Sequence, residues 1–358
     1  MTMRRLINLK RAEARKIYMT YAVVIAAYII CQSMSSAKIL SSSMRGMLVP
    51  ICAYMVMAVS LNLVVGILGE LSLGHAGFMS VGAFSGVATA ILLQGIIPFA
   101  PVRLAIAMIV AAIFAAFAGF VIGIPVLRLK GDYLAIVTLA FGEIIKSILN
   151  NFYMGIDSQG IHMSMLSDTT RLLPGGKLII RGPMGISGIQ KIATFPAGAI
   201  LLIIALMIVF NLVNSRSGRA FMAIRDDRIA AESIGLDITR YKMTAFVMSA
   251  ALAGAAGALF SMNYSTIVAN KFDFNTSILI LVFVVLGGQG NMLGGQGNML
   301  GGIIAAAVLT ILPEKLRSFS EYRMLLYAIV LIVMMLATNN AEIKEFLSRL
   351  NPFRRKEE

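Results

Sequence analysis

The chain has 358 residues, of which 58% are hydrophobic and only 13% are charged, and its formal net charge is +14. Soluble globular domains carry about 25% charged residues, so this chain lacks the charge to cover a soluble surface. Its cations stand at the edges of apolar runs, which argues against a nucleic-acid-binding surface and favours a protein of the lipid bilayer.

Apolar runs of nearly bilayer length begin close to the N-terminus and recur along the chain. A helix needs about 20 apolar residues to cross a bilayer, and lipid offers the backbone no hydrogen bonds, so these runs predict spanning helices. We therefore predict an all-α, polytopic transmembrane helical bundle. The pattern gives about ten spans, near 17–36, 46–67, 71–93, 103–127, 132–152, 196–213, 242–262, 275–290, 301–313 and 322–338.

The charges between these spans orient the chain. With residues 1–16 in the cytoplasm, the inner segments carry more Lys and Arg than the outer ones, as the positive-inside rule requires. Residues 17–338 then form the permease domain, with an external loop at 153–195, an internal loop at 214–241 and a cytoplasmic tail at 339–358. The exception is an outer group of cations, Lys315, Arg317 and Arg323.

The stretch from Asn62 to Gly86 combines many glycines with polar residues at membrane depth. Glycine there permits either tight helix packing or a helix broken within the membrane. Under the first interpretation the polar side chains are simply packed. Under the second, a discontinuous helix lines the path of a solute, and the candidate path residues are Asn62, Glu70, Gly74 and His75.

Further along, Glu143 and Lys146 are three residues apart and so share one helix face. An ionisable group inside the membrane costs about 2.5–3.5 kcal/mol on insertion scales, so each needs a partner or a role. We predict a mutually neutralising pair buried between helices. The alternative places Glu143 beside the solute path.

Small residues recur at the four-residue spacing that brings helices into close contact in membranes. The pairs are Gly119/Gly123, Ala250/Gly254 and Ala253/Gly257. Tight helix packing explains them without a functional role.

The internal loop 214–241 is rich in charge but keeps a helical pattern. Its apolar residues are spaced for short amphipathic turns, namely Phe221, Ile224, Ile229 and Ile234. Asp226 or Asp227 would cap a second turn, and Gly235 would end it. The loop would dock to a partner protein or lie on lipid headgroups, although its acidic residues suit anionic lipids poorly. The residues alone leave both open.

This loop also carries a family resemblance. The string Ala230-Ala231-x-x-x-Gly235 looks like the EAA loop of ABC importer permeases, with Ile229 where a glutamate often stands. The wider stretch 219–242 resembles high-affinity branched-chain amino acid permeases of the LivM type. Four more blocks resemble that family in the same order, at 69–82, 128–143, 284–288 and 313–323.

The resemblance implies a type II-like ABC importer permease in the bacterial inner membrane, with both termini in the cytoplasm and Leu, Ile or Val as solute. It also implies a second permease subunit, two cytoplasmic ATP-binding subunits and a periplasmic substrate-binding protein as partners. The internal loop would couple to the ATPases through Arg219, Arg225, Asp226, Ala230, Ala231, Glu232 and Gly235. Relatives that carry urea or short amides share much of the pattern, and a stand-alone secondary transporter is a further alternative.

The chain lacks the motifs of an energy-supplying enzyme. The nearest string to a phosphate-binding loop, at 173–178, lacks the required hydroxyl residue. His75 and His162 stand in no metal-ligand spacing. We therefore expect no catalytic residue, metal or cofactor, and ATP hydrolysis in a separate chain.

One feature departs from the family pattern. The motif Gly-Gly-Gln-Gly-Asn-Met-Leu at 287–293 is repeated at once at 294–300, where the family has it once. Seven residues make nearly two helical turns, and extra length in a loop costs little. The chain is expected either to fold normally with a longer cytoplasmic turn or to be impaired.

Overall fold

The computed structural model describes residues 3–129, 131–157, 160–165, 176–287 and 299–316, and positions 328, 329 and 332. Its helices are α1 (Met3–Ser36), α2 (Ser42–Asn62), α3 (His75–Leu92), α4 (Ala100–Val126), α5 (Asp132–Asn150), α6 (Phe195–Asn214), α7 (Arg216–Asp226), α8 (Arg228–Ser233), α9 (Ile238–Ser261), α10 (Phe274–Leu286) and α11 (Met299–Lys315). Its strands are β1 (Tyr153–Asp157), β2 (Gly160–Ser164), β3 (Lys177–Arg181), β4 (Ile186–Ser187) and β5 (Thr266–Ile267).

Seven helical segments of the described residues are long and apolar enough to cross a membrane. They are Ile17–Ser36, Ser42–Ile67, His75–Gly95, Ala100–Val126, Phe195–Asn214, Ile238–Ser261 and Ala269–Leu286. The predicted polytopic helical bundle is therefore confirmed.

The other three predicted spans agree with the structure to different extents. α5 coincides with the predicted span 132–152, but it carries three charged residues, Asp132, Glu143 and Lys146. α11 coincides with the predicted span 301–313, but it has only 17 residues. The predicted span 322–338 lies outside the described residues except at positions 328, 329 and 332, and the tandem glycine motif lies outside them except at 287, 299 and 300.

The second long apolar segment is interrupted. After Asn62, α2 passes into a π-helical turn, Leu63–Ile67, and α3 begins only at His75 rather than at the predicted residue 71. Residues 68–74, which we call the break, are non-helical, and Gly69 has a φ of 78° that glycine tolerates. The glycine-dense stretch thus contains a non-helical connection between two helices, each long enough to span a membrane.

The core forms where α9 packs against α3 and α4 through small residues. A Cβ atom added at Gly82 would lie 2.1 Å from the Gly254 carbonyl oxygen, and one at Gly257 would lie 2.0 Å from that of Met79. One at Gly254 would lie 2.6 Å from the Ala111 carbonyl oxygen. The predicted packing role of small residues on α9 is confirmed, since backbones this close admit no side chain.

The two ends of the bundle differ. β1 pairs antiparallel with β2 and β3, and β4 pairs with β5. α6 follows β4 and leads to α7, and α9 follows α8 and leads to β5. The strands, which we call the sheet end, are therefore separated from the α7–α8 end by the length of α6, about 30 Å for 20 residues.

Replacing Gly254 by leucine is expected to destabilise the bundle by about 1–3 kcal/mol or more, because the added side chain would overpack the contact between α9 and α4. The matched control is Gly46→Leu, since nothing lies within 4 Å of a Cβ atom at Gly46. Thermal unfolding in detergent measures both variants, and equal unfolding midpoints would contradict the packing argument.

Candidate functional site

The predicted internal loop folds into two capped helices. The Ser215 hydroxyl accepts from the Ser217 and Gly218 amides, at 3.1 and 3.3 Å, and begins α7. The Asp227 carboxylate accepts from the Ile229 and Ala230 amides, at 2.9 and 3.0 Å, and begins α8. Of the two aspartates predicted as caps, Asp227 is therefore the one whose side chain caps α8.

The predicted stop at Gly235 is also confirmed. Gly235 has a φ of 85°, and the Leu236 amide donates to the Ala231 carbonyl oxygen at 3.2 Å. A left-handed glycine after the last turn is the common way to end a helix. α7 and α8 are thus a folded element rather than an irregular loop.

The apolar residues of this element divide between two faces. Phe221 and Ile224 are buried in the bundle, whereas Ile229 is 81% exposed and Ile234 is 75% exposed. Ala231, which the family resemblance placed among the coupling residues, is buried where α8 packs against α9 and so is not accessible to a partner. Ala230 lies on the exposed face, together with Arg219, Asp226, Glu232 and Gly235.

Arg225 joins this element to the break. Its Nη1 donates to the Gly66 carbonyl oxygen at 3.3 Å, while its Nε and Nη2 donate to Asp226 at 3.1 and 3.0 Å. A Cβ atom at Gly69 would lie 2.6 Å from the Arg225 Cγ. A cation beside the last carbonyls of a helix is favourable, so Arg225 stabilises the end of the interrupted segment.

A second cation reaches the break from α9. The Lys242 ammonium pairs with the Glu70 carboxylate, and the two side chains are 1% and 15% exposed. We predicted a role for Glu70 but not for Lys242, although a lysine at the edge of an apolar span indicates a charge that needs a partner or a role. Removing one member of such a pair would leave a buried charge without a counter-charge.

The start of α3 takes its hydrogen-bond partners from other helices. The Leu73 amide donates to the Thr138 hydroxyl of α5 at 3.0 Å, and the Ala76 amide donates to the Ser277 hydroxyl of α10 at 3.2 Å. A Cβ atom at Gly74 would lie 2.2 Å from the Thr138 carbonyl oxygen. Gly74 therefore serves close packing against α5, and Thr138 and Ser277 are partners that the sequence did not reveal.

His75 and Asn62 are both buried beside the break. The His75 Nε2 atom and the Ser60 hydroxyl share a hydrogen bond of 2.7 Å. The Asn62 amide donates to the Met299 sulfur at 3.1 Å, and its Oδ1 is buried with no partner among the described residues. Asn62, Glu70, Gly74 and His75 thus lie in the break or within a few residues of it, and each contacts a different neighbour.

Glu143 lies beside the break, in a shallow surface recess between α3, α5 and the start of α10 that Leu73, Asp273 and Ser277 also line. It pairs with Lys146, as predicted, but its side chain is 41% exposed, so the predicted burial of the pair is wrong. No group of three or more His, Cys, Asp or Glu side chains suited to a metal occurs in the described part of the chain.

A family model described as "Branched-chain amino acid transport system / permease component" matches residues 43–337. The high-affinity branched-chain amino acid transport system permease protein LivM of Salmonella typhimurium is 36% identical over 295 residues. The protein of the same name from Escherichia coli is 35% identical over 293 residues. Both comparisons cover 79% of this chain and 66% of the relative, so the chain spans slightly less than two thirds of each.

A more distant relative carries the name of another solute. The autoinducer 2 import system permease protein LsrC of an Enterobacter species is 29% identical over 120 residues, which cover 33% of this chain and 35% of the relative. No solved structure matches the chain.

Replacing Lys242 by methionine is expected to lower the free energy of unfolding by about 3–5 kcal/mol, because Glu70 would keep a largely buried charge without a partner. The double variant Glu70→Gln/Lys242→Met should recover most of that loss. Thermal unfolding in detergent measures both.

The matched control is Glu143→Gln, which removes half of the more exposed pair and should change stability by at most about 1 kcal/mol. The interpretation fails if Lys242→Met unfolds at the wild-type temperature, or if the double variant is as unstable as the single one.

Proposed function

The chain belongs to the family of branched-chain amino acid transport system permease components, and we propose that it is the permease subunit of an ABC importer for leucine, isoleucine and valine. One observation carries the proposal beyond family membership. A capped helical element at one end of an apolar bundle exposes two isoleucines and sends an arginine to a helix break.

We propose that the α7–α8 end faces the cytoplasm and the sheet end faces the periplasm. A cytoplasmic ATP-binding subunit would dock on α7 and α8, and a second would dock on the partner permease. The sheet end, a folded cover where it is described, would receive the periplasmic substrate-binding protein. This arrangement agrees with the positive-inside rule for the charged segment between α6 and α9.

The exposed face of α8 favours a protein partner over lipid headgroups. The exposed isoleucines Ile229 and Ile234 share their segment with exposed acidic residues as well as arginines, namely Asp226, Glu232 and Asp237 beside Arg219 and Arg240. Anionic lipids repel carboxylates, whereas an apolar centre with a polar rim is the usual anatomy of a protein interface. This surface therefore supports docking to a partner protein, the first of the two alternatives that the sequence left open.

The linkage to the break suggests how ATPase motion would reach the membrane. Arg225 joins α7 to Gly66, and Lys242 joins the start of α9 to Glu70. A shift of α7 and α8 would therefore pull on both sides of residues 66–70. We propose that this moves α3 relative to α2 and alternates access to the solute path.

The five predicted path residues take different parts in this proposal. Glu70 and His75 are engaged with protein partners, and Gly74 is packed on α5, so they hold the break in place. The Asn62 Oδ1 has no hydrogen-bond partner among the described residues, and the Glu143 carboxylate is accessible. These two are the proposed contacts for a solute.

The decisive test is reconstitution with a second permease, the ATP-binding subunits and a binding protein, followed by uptake of radiolabelled leucine. ATP-dependent uptake supports the proposal, and competition by urea or acetamide would redirect it to an amide importer. Uptake without ATP or an ATPase subunit would point instead to a stand-alone secondary transporter.

Replacing Ile229 and Ile234 together by serine is expected to weaken binding of the ATP-binding subunit at least about tenfold, because truncating apolar anchors costs more than about 1 kcal/mol each. The control is Ile39→Ser, since Ile39 is 70% exposed but lies between α1 and α2. Co-purification and leucine uptake measure the effect, and unchanged co-purification would show that α8 is not the docking surface.

A further inference from the structure

The surface of the bundle between its two ends is apolar along α4 and partly polar along α5. Every exposed residue of α4 is apolar, and Ile109, Ile113 and Phe117 are 61%, 61% and 66% exposed. Lipid tails are as apolar as these side chains, so the α4 side of the bundle suits direct contact with lipid.

The accessible surface of α5 is divided into two stripes that run along the helix. One is apolar and contains Ile136, Ile144 and Ile148, which are 60%, 48% and 48% exposed. The other has the spacing of a single helix face and consists of Glu143, Lys146, Ser147 and Asn150. α5 therefore stands where the apolar surface of the bundle gives way to a polar one.

The polar face of α5 lies well inside the bundle rather than at its rim. α5 links the end of α4 to the sheet end, so it crosses the bundle. Glu143 follows Asp132, the first residue of α5, by 11 positions and precedes Asn150, the last, by seven, which places it about 16 Å and about 10 Å from the two ends. The Glu143 and Lys146 side chains are nevertheless 41% and 22% exposed. Ionisable side chains at such a depth almost always face protein or water, not lipid.

The start of α10 extends this polar surface in both directions. The Asp273 carboxylate accepts from the Thr276 amide at 3.0 Å and borders the same recess as Glu143, which reaches Leu73 of the break. Asn275, in the first turn of α10, is exposed. Towards the sheet end, the Asn150 amide donates to the Asn270 Oδ1 at 2.9 Å. We call this surface the polar stripe, and it consists of Glu143, Lys146, Ser147, Asn150, Asp273 and Asn275.

We propose that the polar stripe is one wall of a water-filled passage that opens at the sheet end and reaches the break at Leu73. The passage runs along the outside of this chain, so its opposite wall belongs to another chain, which we take to be the second permease subunit. The apolar stripe of α5, with Ile144 and Ile148, marks the edge where lipid begins. The identity of the opposite wall rests on the proposed function, whereas the presence of water along the polar stripe does not.

The test is the labelling rate of single-cysteine variants in membrane vesicles from the chain's native host, so that its own partner proteins are present. The background is Cys31→Ala/Cys52→Ala, which removes both native thiols. The reagent is 2-(trimethylammonio)ethyl methanethiosulfonate, whose fixed charge keeps it out of lipid. Ser147→Cys should react at least about tenfold faster than Ile148→Cys, because a thiol reacts as the thiolate, which forms in water and not among lipid tails.

Ile148→Cys is a matched control, because Ile148 follows Ser147 in the chain and is 48% exposed. Met184→Cys reports the side of the membrane that the reagent reaches, since Met184 is 70% exposed at the sheet end. Ser147→Cys should react only from the side on which Met184→Cys reacts. Asn275→Cys should behave like Ser147→Cys, and it keeps the test decisive if Ser147→Cys does not fold.

Equal labelling rates at positions 147 and 148 would overturn the proposal. Slow reaction at both would mean that lipid or protein covers the polar stripe, and fast reaction at both would mean that lipid does not flank α5. Reaction of Ser147→Cys only from the side opposite to Met184→Cys would overturn it too, because the passage would then open at the α7–α8 end.

The passage and the proposed function can fail separately. If the assembled transporter takes up leucine with ATP but Ser147→Cys and Asn275→Cys are as inert as Ile148→Cys, the passage is wrong and the importer stands. If the predicted labelling rates are found but no ATP-dependent uptake occurs, the passage stands and the importer is wrong.

Discussion

Where a helix ends within a packed bundle of membrane helices, its backbone must find partners within the protein, because lipid supplies none. In this chain that constraint falls on the break, residues 68–74, and on the helix ends beside it. Its backbone partners come from three other helices, since Arg225, Thr138 and Ser277 lie on α7, α5 and α10. Lys242 of α9 adds an ion pair with the Glu70 side chain. At the break, residues of α7 and α9 therefore contact the same segment as residues of α5 and α10, which links the α7–α8 end to the rest of the bundle.

This arrangement depends in turn on the packing of α9. Gly254 and Gly257 let the α9 backbone touch α4 and α3, which fixes the helix that carries Lys242. The same helix begins four residues after α8 ends, so a short connection joins the segment with the exposed isoleucines to the helix that reaches Glu70. In the proposed coupling, α7 and α9 hold the break from one side, and α5 and α10 hold it from the other.

The sequence predicted what local chemistry determines. Apolar runs gave the helices, and the cap at Asp227 and the stop at Gly235 follow from neighbouring residues alone. It could not predict that Lys242 meets Glu70, 172 residues away, or that Ala231 faces inward, since both depend on how α8 and α9 settle on the bundle. Nor could it predict that Arg103 is buried, because burial is set by packing that no local pattern encodes.

The most direct test of the coupling is hydrogen exchange, measured by mass spectrometry, on the assembled transporter with and without bound ATP. If α7 and α8 act on the break, the amides of 66–74 should change their exchange rate together with those of 216–235 when ATP binds. The local stability of a segment depends on the contacts that hold it. Loosening the Arg225 and Lys242 contacts should therefore change the exchange rates of these amides. A response in 216–235 with no change in 66–74 would contradict the account.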